Sequence, residues 1–77
     1  MRKIQILGPG CPNCERLVAL ADRVARELGI EYEIEKIKEI TEIVQFGVMA
    51  TPGLVLDGKV LVSGRVPSEA EVKEWLS

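Results

Sequence analysis

Residues 53–64 read GLVLDGKVLVSG. Two apolar runs rich in valine and leucine flank Asp57-Gly58, a dipeptide suited to the positive φ values of a tight hairpin turn. This segment predicts two adjacent antiparallel strands late in the chain. The stretch after the hairpin is equally explicit. In PSEAEVKEWL, Ser68 and Glu71 form an S-x-x-E capping box, and Val72, Trp75 and Leu76 supply an apolar face for a last helix. The single Trp is read as packing, in the core or at its rim.

The upstream half has to provide partners for that hairpin. Residues 3–7, KIQIL, form a short strand that GPG then breaks. From Pro12 to Leu28 the apolar residues fall at Leu17, Val18, Ala21, Val24, Ala25 and Leu28, the spacing of one helical face, and Gly29 supplies a stop. IEYEIEKI alternates Ile30, Tyr32 and Ile34 with Glu31, Glu33 and Glu35. Period two with one charged face predicts an edge strand whose glutamates are solvated, not a carboxylate site. KEITEIVQFG returns to helical spacing with Ile40, Ile43 and Val44, closed by Gly47. The order is β-α-β-α-β-β-α. The first β-α-β must be a right-handed crossover between parallel strands. The fold class is therefore α/β, a four-stranded mixed sheet with three helices.

At 77 residues the chain is read as one domain, residues 1–77. A domain of this size buries only about 60% of its unfolded surface, so function is expected to sit in one place. Ten basic and twelve acidic residues are well mixed, for a net charge of −2. No basic face points to nucleic acid. The apolar run in MRKIQILG is too short for a signal peptide or a membrane span. The expectation is a cytoplasmic, monomeric protein with no membrane or nucleic-acid partner.

The remaining feature is Cys11-Pro12-Asn13-Cys14, two cysteines in a chain with no other cysteine and no histidine. Pro12 suits the first helical turn, where a missing N–H is tolerated. Cys11 then lies near the N-cap and Cys14 one turn on, with the sulfurs in bonding reach. Cys11 should face solvent and Cys14 should lie partly beneath the helix. A helix N-terminus carries about half a positive charge and free N–H groups. In such C-x-x-C sites a thiol pKa falls from about 8.5 to between roughly 3.5 and 7.5, so Cys11 becomes a nucleophile with no base beside it.

Three uses of such a pair compete. Structural zinc wants four ligands, so one pair serves only if shared across a dimer. Two thiolates suit a soft-metal carrier of the Cu(I) type. Heavy-metal-associated domains also place C-x-x-C after their first strand, but they end in a strand, whereas this chain ends in a capped helix. The third use is dithiol–disulfide exchange. A non-catalytic binding module whose pair only senses redox state is a further alternative.

A second motif bears on the choice. FGVMATPGLVLDG, residues 46–58, puts Thr51-Pro52 directly before a buried strand. Proline at a strand start is ordinary, and only about 5–6% of X-Pro bonds in folded proteins are cis. Taken together, Cys11-Pro12-Asn13-Cys14 after the first strand and Thr51-Pro52 before the hairpin resemble the thioredoxin fold. The chain resembles, over essentially its whole length, the small glutaredoxin-like thioredoxins of prokaryotes known as redox-active disulfide proteins.

The resemblance implies a minimal thioredoxin fold and a thiol–disulfide oxidoreductase acting on protein disulfides. It implies Cys11 as attacking nucleophile, Cys14 as resolving cysteine, Pro12 and Asn13 as support, and Pro52 as a cis proline packed against the pair. Thr51 would pair through its backbone with an extended substrate. No metal or other cofactor is implied beyond the Cys11–Cys14 disulfide, and a separate reductase would return electrons to it. Departures are also present. Gly8 stands where glutaredoxins carry a lysine, and Ser63-Gly64-Arg65 stands where they carry Gly-Gly and an acid, so a glutathione site is not matched. Topology returns Gly64 and Arg65 to the Cys11 edge as substrate-side residues, with Lys36 and Lys38 on the same side. Beyond solubility, Arg65 there would favour the Cys11 thiolate or an anionic substrate.

Overall fold

The computed structural model describes residues 1–77. Strand β1 (Arg2–Leu7) leads into helix α1 (Pro12–Leu28). Strand β2 (Tyr32–Ile37), helix α2 (Ile40–Gln45), strands β3 (Gly53–Leu56) and β4 (Lys59–Ser63) and helix α3 (Glu69–Leu76) come next along the chain. The sheet order is β2-β1-β3-β4. β1 runs parallel to β2, with Ile4 opposite Ile34, and antiparallel to β3, with Ile6 opposite Leu54. β3 and β4 form the expected hairpin, whose turn residues Asp57 and Gly58 have φ of 50° and 87°. This is the α/β mixed sheet with three helices read from the sequence. Handedness of twist makes that pair of positive φ values the natural two-residue connection.

The local signals set the element ends. Gly29 closes α1 in the left-handed region, at φ 67°. Ser68 Oγ accepts from the Glu71 N–H at 3.2 Å while the Glu71 carboxylate accepts from the Ser68 N–H at 3.1 Å, completing the capping box.

Period-two alternation splits the sheet's side chains between two faces. Ile4 and Ile6 of β1 and Leu54 and Leu56 of β3 pack with Leu17, Ala21 and Val24 of α1 and Val72 and Leu76 of α3. Trp75 packs against this cluster from its partly buried rim. Leu7 and Val55 point the other way and join Ile37, Ile43 and Val48. β3 is buried at all of its positions, as befits a central strand covered on both sides.

The second face is only partly covered. The sequence spacing gives Ile40, Ile43 and Val44 helical periodicity, and of the three only Ile43 is buried; Ile40 is 67% and Val44 53% exposed. α2 has six residues, less than two turns, and the neighbouring part of that sheet face is already polar. There Lys3 lies opposite Glu33 and Gln5 opposite Glu35, and the Gln5 amide donates to Glu35 at 2.9 Å. An apolar stripe on a helix this short has too little sheet beneath it to be buried whole.

Candidate functional site

The loops at the edge where β1 ends converge because the sheet register brings them there. The Gly8 N–H donates to the Ile37 carbonyl at 2.9 Å, tying the start of the cysteine loop to the end of β2. Leu7 faces Gly53, and Gly53 faces Ser63. The Gly64 N–H then donates to the Pro52 carbonyl at 2.9 Å. Residues 8–11, Thr51-Pro52 and Gly64 thus share one edge. Gly64 has φ 82°, and a Cβ there would meet the Ala50 Cβ at 3.2 Å.

Cys11 is the N-cap of α1 and Pro12 its first residue, the placement the motif suggests. Cys11 and Cys14 are joined as a disulfide, with their Cα atoms 5.1 Å apart. The Cys14 N–H donates to Cys11 Sγ at 3.2 Å, so one of the helix's unsatisfied donors is aimed at the outer sulfur. Cys11 is half-buried, Pro12 and Asn13 are exposed, and Cys14 is 3% exposed. The two sulfurs therefore occupy different surroundings, one accessible and supplied with a donor, the other enclosed.

The enclosure depends on Gly8, which in the sequence marks the strand break and the position of the glutaredoxin lysine. A Cβ built on Gly8 would overlap Cys14 Sγ and lie 3.0 Å from Cys14 Cβ. Gly8 is buried and has an ordinary φ; its lack of a side chain is what admits the inner sulfur. The GPG stretch carried that signal, since glycine in a loop next to a packed helix also permits close approach.

Lys36 and Lys38 line a small cavity with Cys14, Glu15 and Val18, and Lys36 reaches Glu15 at 3.9 Å. Arg65 is directed elsewhere. Its guanidinium makes a two-pronged contact with Glu71 of α3, at 2.9 and 2.8 Å. The planar guanidinium matches a carboxylate through two parallel N–H bonds, and the capping box already holds that carboxylate in place. The arginine expected to serve the Cys11 thiolate is thus engaged by the last helix, and the cations that share a cavity with Cys14 are the two lysines.

The Arg65 hydrogen bonds, and then the Ser68 N–H, hold the Glu71 carboxyl down at about 2 from an ordinary 4.5. A lowered folded-state value stabilises the fold fully above the unfolded value and is lost as pH falls toward the folded one. Acid should therefore lower the Tm of the wild-type protein between about pH 4.5 and pH 2. Glu71→Gln should flatten that part of the Tm–pH curve; parallel curves for the two proteins would refute the assignment.

The Thr51–Pro52 peptide is cis. Pro52 is buried and Thr51 half-buried. No hydrogen bond within the chain engages the Thr51 N–H or carbonyl. On its far side Thr51 borders an apolar groove that also takes in Pro9 and the uncovered face of α2. No helix in the chain is long and apolar enough to cross a membrane.

A thiolate at the outer position can displace one sulfur of a disulfide, and the enclosed sulfur is placed to displace the resulting adduct. Comparison with known proteins agrees with that chemistry. The family profile described as a thioredoxin domain matches residues 2–77. A thioredoxin of Methanothermobacter thermautotrophicus is 49% identical over 77 residues, covering 100% of each chain. One from Methanocaldococcus jannaschii is 38% identical over 73 residues, 95% of this chain and 84% of the relative. The solved structure of thioredoxin-2, a component of the malaria parasite protein secretion machinery, superposes with a TM-score of 0.72 over 99% of this chain and 81% of that one. At 14% identity this likeness concerns the fold. Fold, cysteine pair and relatives together define a thiol–disulfide oxidoreductase. Within that class, the chain belongs to the thioredoxin family.

Proposed function

We propose that this chain reduces protein disulfides through Cys11 and Cys14 in unequal roles. Cys11, as thiolate, attacks a substrate sulfur and forms a mixed disulfide, expelling the other substrate sulfur as a thiol. Cys14 then attacks Cys11 Sγ, releases the second substrate thiol and closes the Cys11–Cys14 disulfide. A separate reductase supplies two electrons to reopen it. No metal or organic cofactor enters the cycle. The chain works as one monomeric domain, in the reducing cytoplasm where a dithiol of this kind persists.

The observation that carries this reading is the asymmetry of the pair. Cys11 sits at the helix N-cap with the Cys14 N–H pointed at its sulfur, while Cys14 is enclosed. A donated hydrogen bond and the helix dipole both favour a thiolate over a thiol. Pro12 and Asn13 keep the helix start in register. Thr51 offers its unpaired N–H and carbonyl to an extended substrate, in the manner of an added strand, with Pro52 behind it. Gly64 borders that path by holding the Pro52 carbonyl, and Arg65 would have to leave Glu71 to meet an anionic substrate.

The test is catalytic reduction of insulin disulfides with dithiothreitol as electron source. The wild-type protein should accelerate it and Cys11→Ser should not. Stoichiometric Cu(I) binding by freshly reduced protein that shows no such acceleration would favour the soft-metal carrier instead.

A further inference from the structure

The inner sulfur carries negative charge twice in each cycle. Cys14 attacks the mixed disulfide as a thiolate, and it departs as a thiolate when an incoming thiol reopens the bond at the accessible Cys11. Its surroundings do little for that charge. Cys14 is 3% exposed, and apolar burial disfavours a thiolate. The chain buries no charged or polar side chain and has no histidine, so no enclosed acid or base serves this sulfur. The Cys14 N–H is committed to Cys11 Sγ. One opening reaches Cys14, a cavity of about 10 Å³, close to the space that one water fills. Its charged lining residues are Glu15 from α1, Lys36 from β2 and Lys38 just beyond β2; the rest of the lining, from β1, α1 and the cysteine loop, is uncharged. Lys36 reaches Glu15 only loosely, at 3.9 Å, and Lys38 has no ion-pair partner. Two cations against one carboxylate leave the cavity positive in a chain of net charge −2.

We infer that Lys36 and Lys38 are positioning residues for the resolving step, holding negative charge on Cys14 Sγ through this cavity. The inference rests on the reading of Cys14 as the resolving cysteine and adds the groups that make its sulfur reactive. The two sulfurs then have separate electrostatic supports. Cys11 has the helix N-terminus and a donated N–H; Cys14 has a pair of cations at the mouth of its one opening. In the mixed disulfide Cys11 is bonded and uncharged, so the charge that has to be supported lies on Cys14 alone. The Cys14 thiol gives its proton to solvent through the opening, and its sulfur forms a bond to Cys11 Sγ. The bond from Cys11 to the substrate sulfur breaks, and its electron pair leaves with that sulfur, which takes up a proton from solvent. Reopening reverses these events with a reductase thiolate as attacker, so the same lysines favour the departure of Cys14. An opposite charge close to a titrating group favours its charged form, and the effect is strengthened where water is scarce. Glu15 opposes the lysines in sign and lies at the same opening.

The experiment mixes pre-reduced protein with 4,4′-dithiodipyridine, an uncharged disulfide whose thiopyridone product is followed by absorbance. The first equivalent reports attack by Cys11. The second reports displacement of the adduct by Cys14 and does not depend on reagent concentration. In the double variant Lys36→Gln with Lys38→Gln, the second phase should slow about tenfold near neutral pH. Its pH midpoint should rise by about one unit, the equivalent tenfold loss of thiolate. The first phase should keep its wild-type rate. Arginine at both positions should restore the second phase and its midpoint, because the charge is what acts. Glu15→Gln should not slow it. An unchanged second phase in the double variant would overturn the inference, as would a variant that slows both phases alike. Failure of arginine to restore the midpoint would also overturn it, leaving the lysines a packing role only. Slowing by Glu15→Gln with no effect of the lysine changes would give the step to the carboxylate instead. Wild-type protein that shows no concentration-independent second phase would overturn the Cys11–Cys14 cycle beneath the inference.

Discussion

Cys14→Ser is expected to leave the first chemical step intact and to stop the cycle at the mixed disulfide. The serine hydroxyl occupies nearly the same enclosed space, so the helix start should be undisturbed and Cys11 should still attack. Without a second thiol, the adduct is released only by outside thiols. Multiple-turnover insulin reduction should fall by about 10³-fold or more, the scale on which loss of a reacting group is felt. A pulse of disulfide substrate should give one equivalent of adduct per chain, visible by mass. The reciprocal variant, Cys11→Ser, should yield no adduct, because Cys14 is 3% exposed and an incoming disulfide cannot reach it. Adduct formation by Cys11→Ser and not by Cys14→Ser would invert the two roles.

Gly8→Ala tests the other half of the site. Gly8 does not need a positive φ, so alanine is compatible with its backbone and the substitution isolates one steric event. The added methyl must displace Cys14 Sγ, and it comes within 3.0 Å of Cys14 Cβ as well. Overpacking of this kind costs about 1–3 kcal/mol, a Tm drop of roughly 4–24 °C in a domain this small. The catalytic loss should be larger still. Resolution requires Cys14 Sγ in line with Cys11 Sγ, and misplacement of a reacting atom by about 1 Å can lower a rate by about 10²-fold. The mixed disulfide should therefore persist in Gly8→Ala while its formation, governed by Cys11, stays near the wild-type rate. An unchanged Tm with unchanged turnover would falsify the role given to Gly8.

The first of these effects falls where the sequence is explicit, the second where it is least so. The frame was legible because each boundary has a local chemical cause. Pro12 opens α1, Gly29 closes it, Asp57-Gly58 turns the hairpin, and Ser68 with Glu71 caps α3. The cysteine pair was legible for the same reason, since three-residue spacing at a helix start is itself a local fact. The features that escaped are nonlocal. Gly8 reads as a breaker in one dimension and becomes a packing requirement only when α1 folds back over it. Ile40 and Val44 have the spacing of a core face, and periodicity cannot distinguish a face destined for the sheet from one left open beside it. Topology places Arg65 at the correct sheet edge. The end point of so long a side chain depends on which carboxylate is already fixed nearby, and Glu71 is fixed by its own cap.

Arg2 shows how the rest of the molecule is arranged around that edge. Its guanidinium reaches Asp57 at 2.9 Å and the carbonyls of Trp75 and Leu76 at 3.4 Å. The beginning of β1, the hairpin turn and the last turn of α3 are gathered at one end. The cysteines lie at the other, the length of β1 away, about 20 Å for its six residues. This gives the molecule a handle and a working edge. A tether or a bulky label fixed beside the Arg2 cluster points away from incoming substrate. The protein can therefore be mounted on a surface by that end, with its reactive sulfur facing the solution to capture its partners.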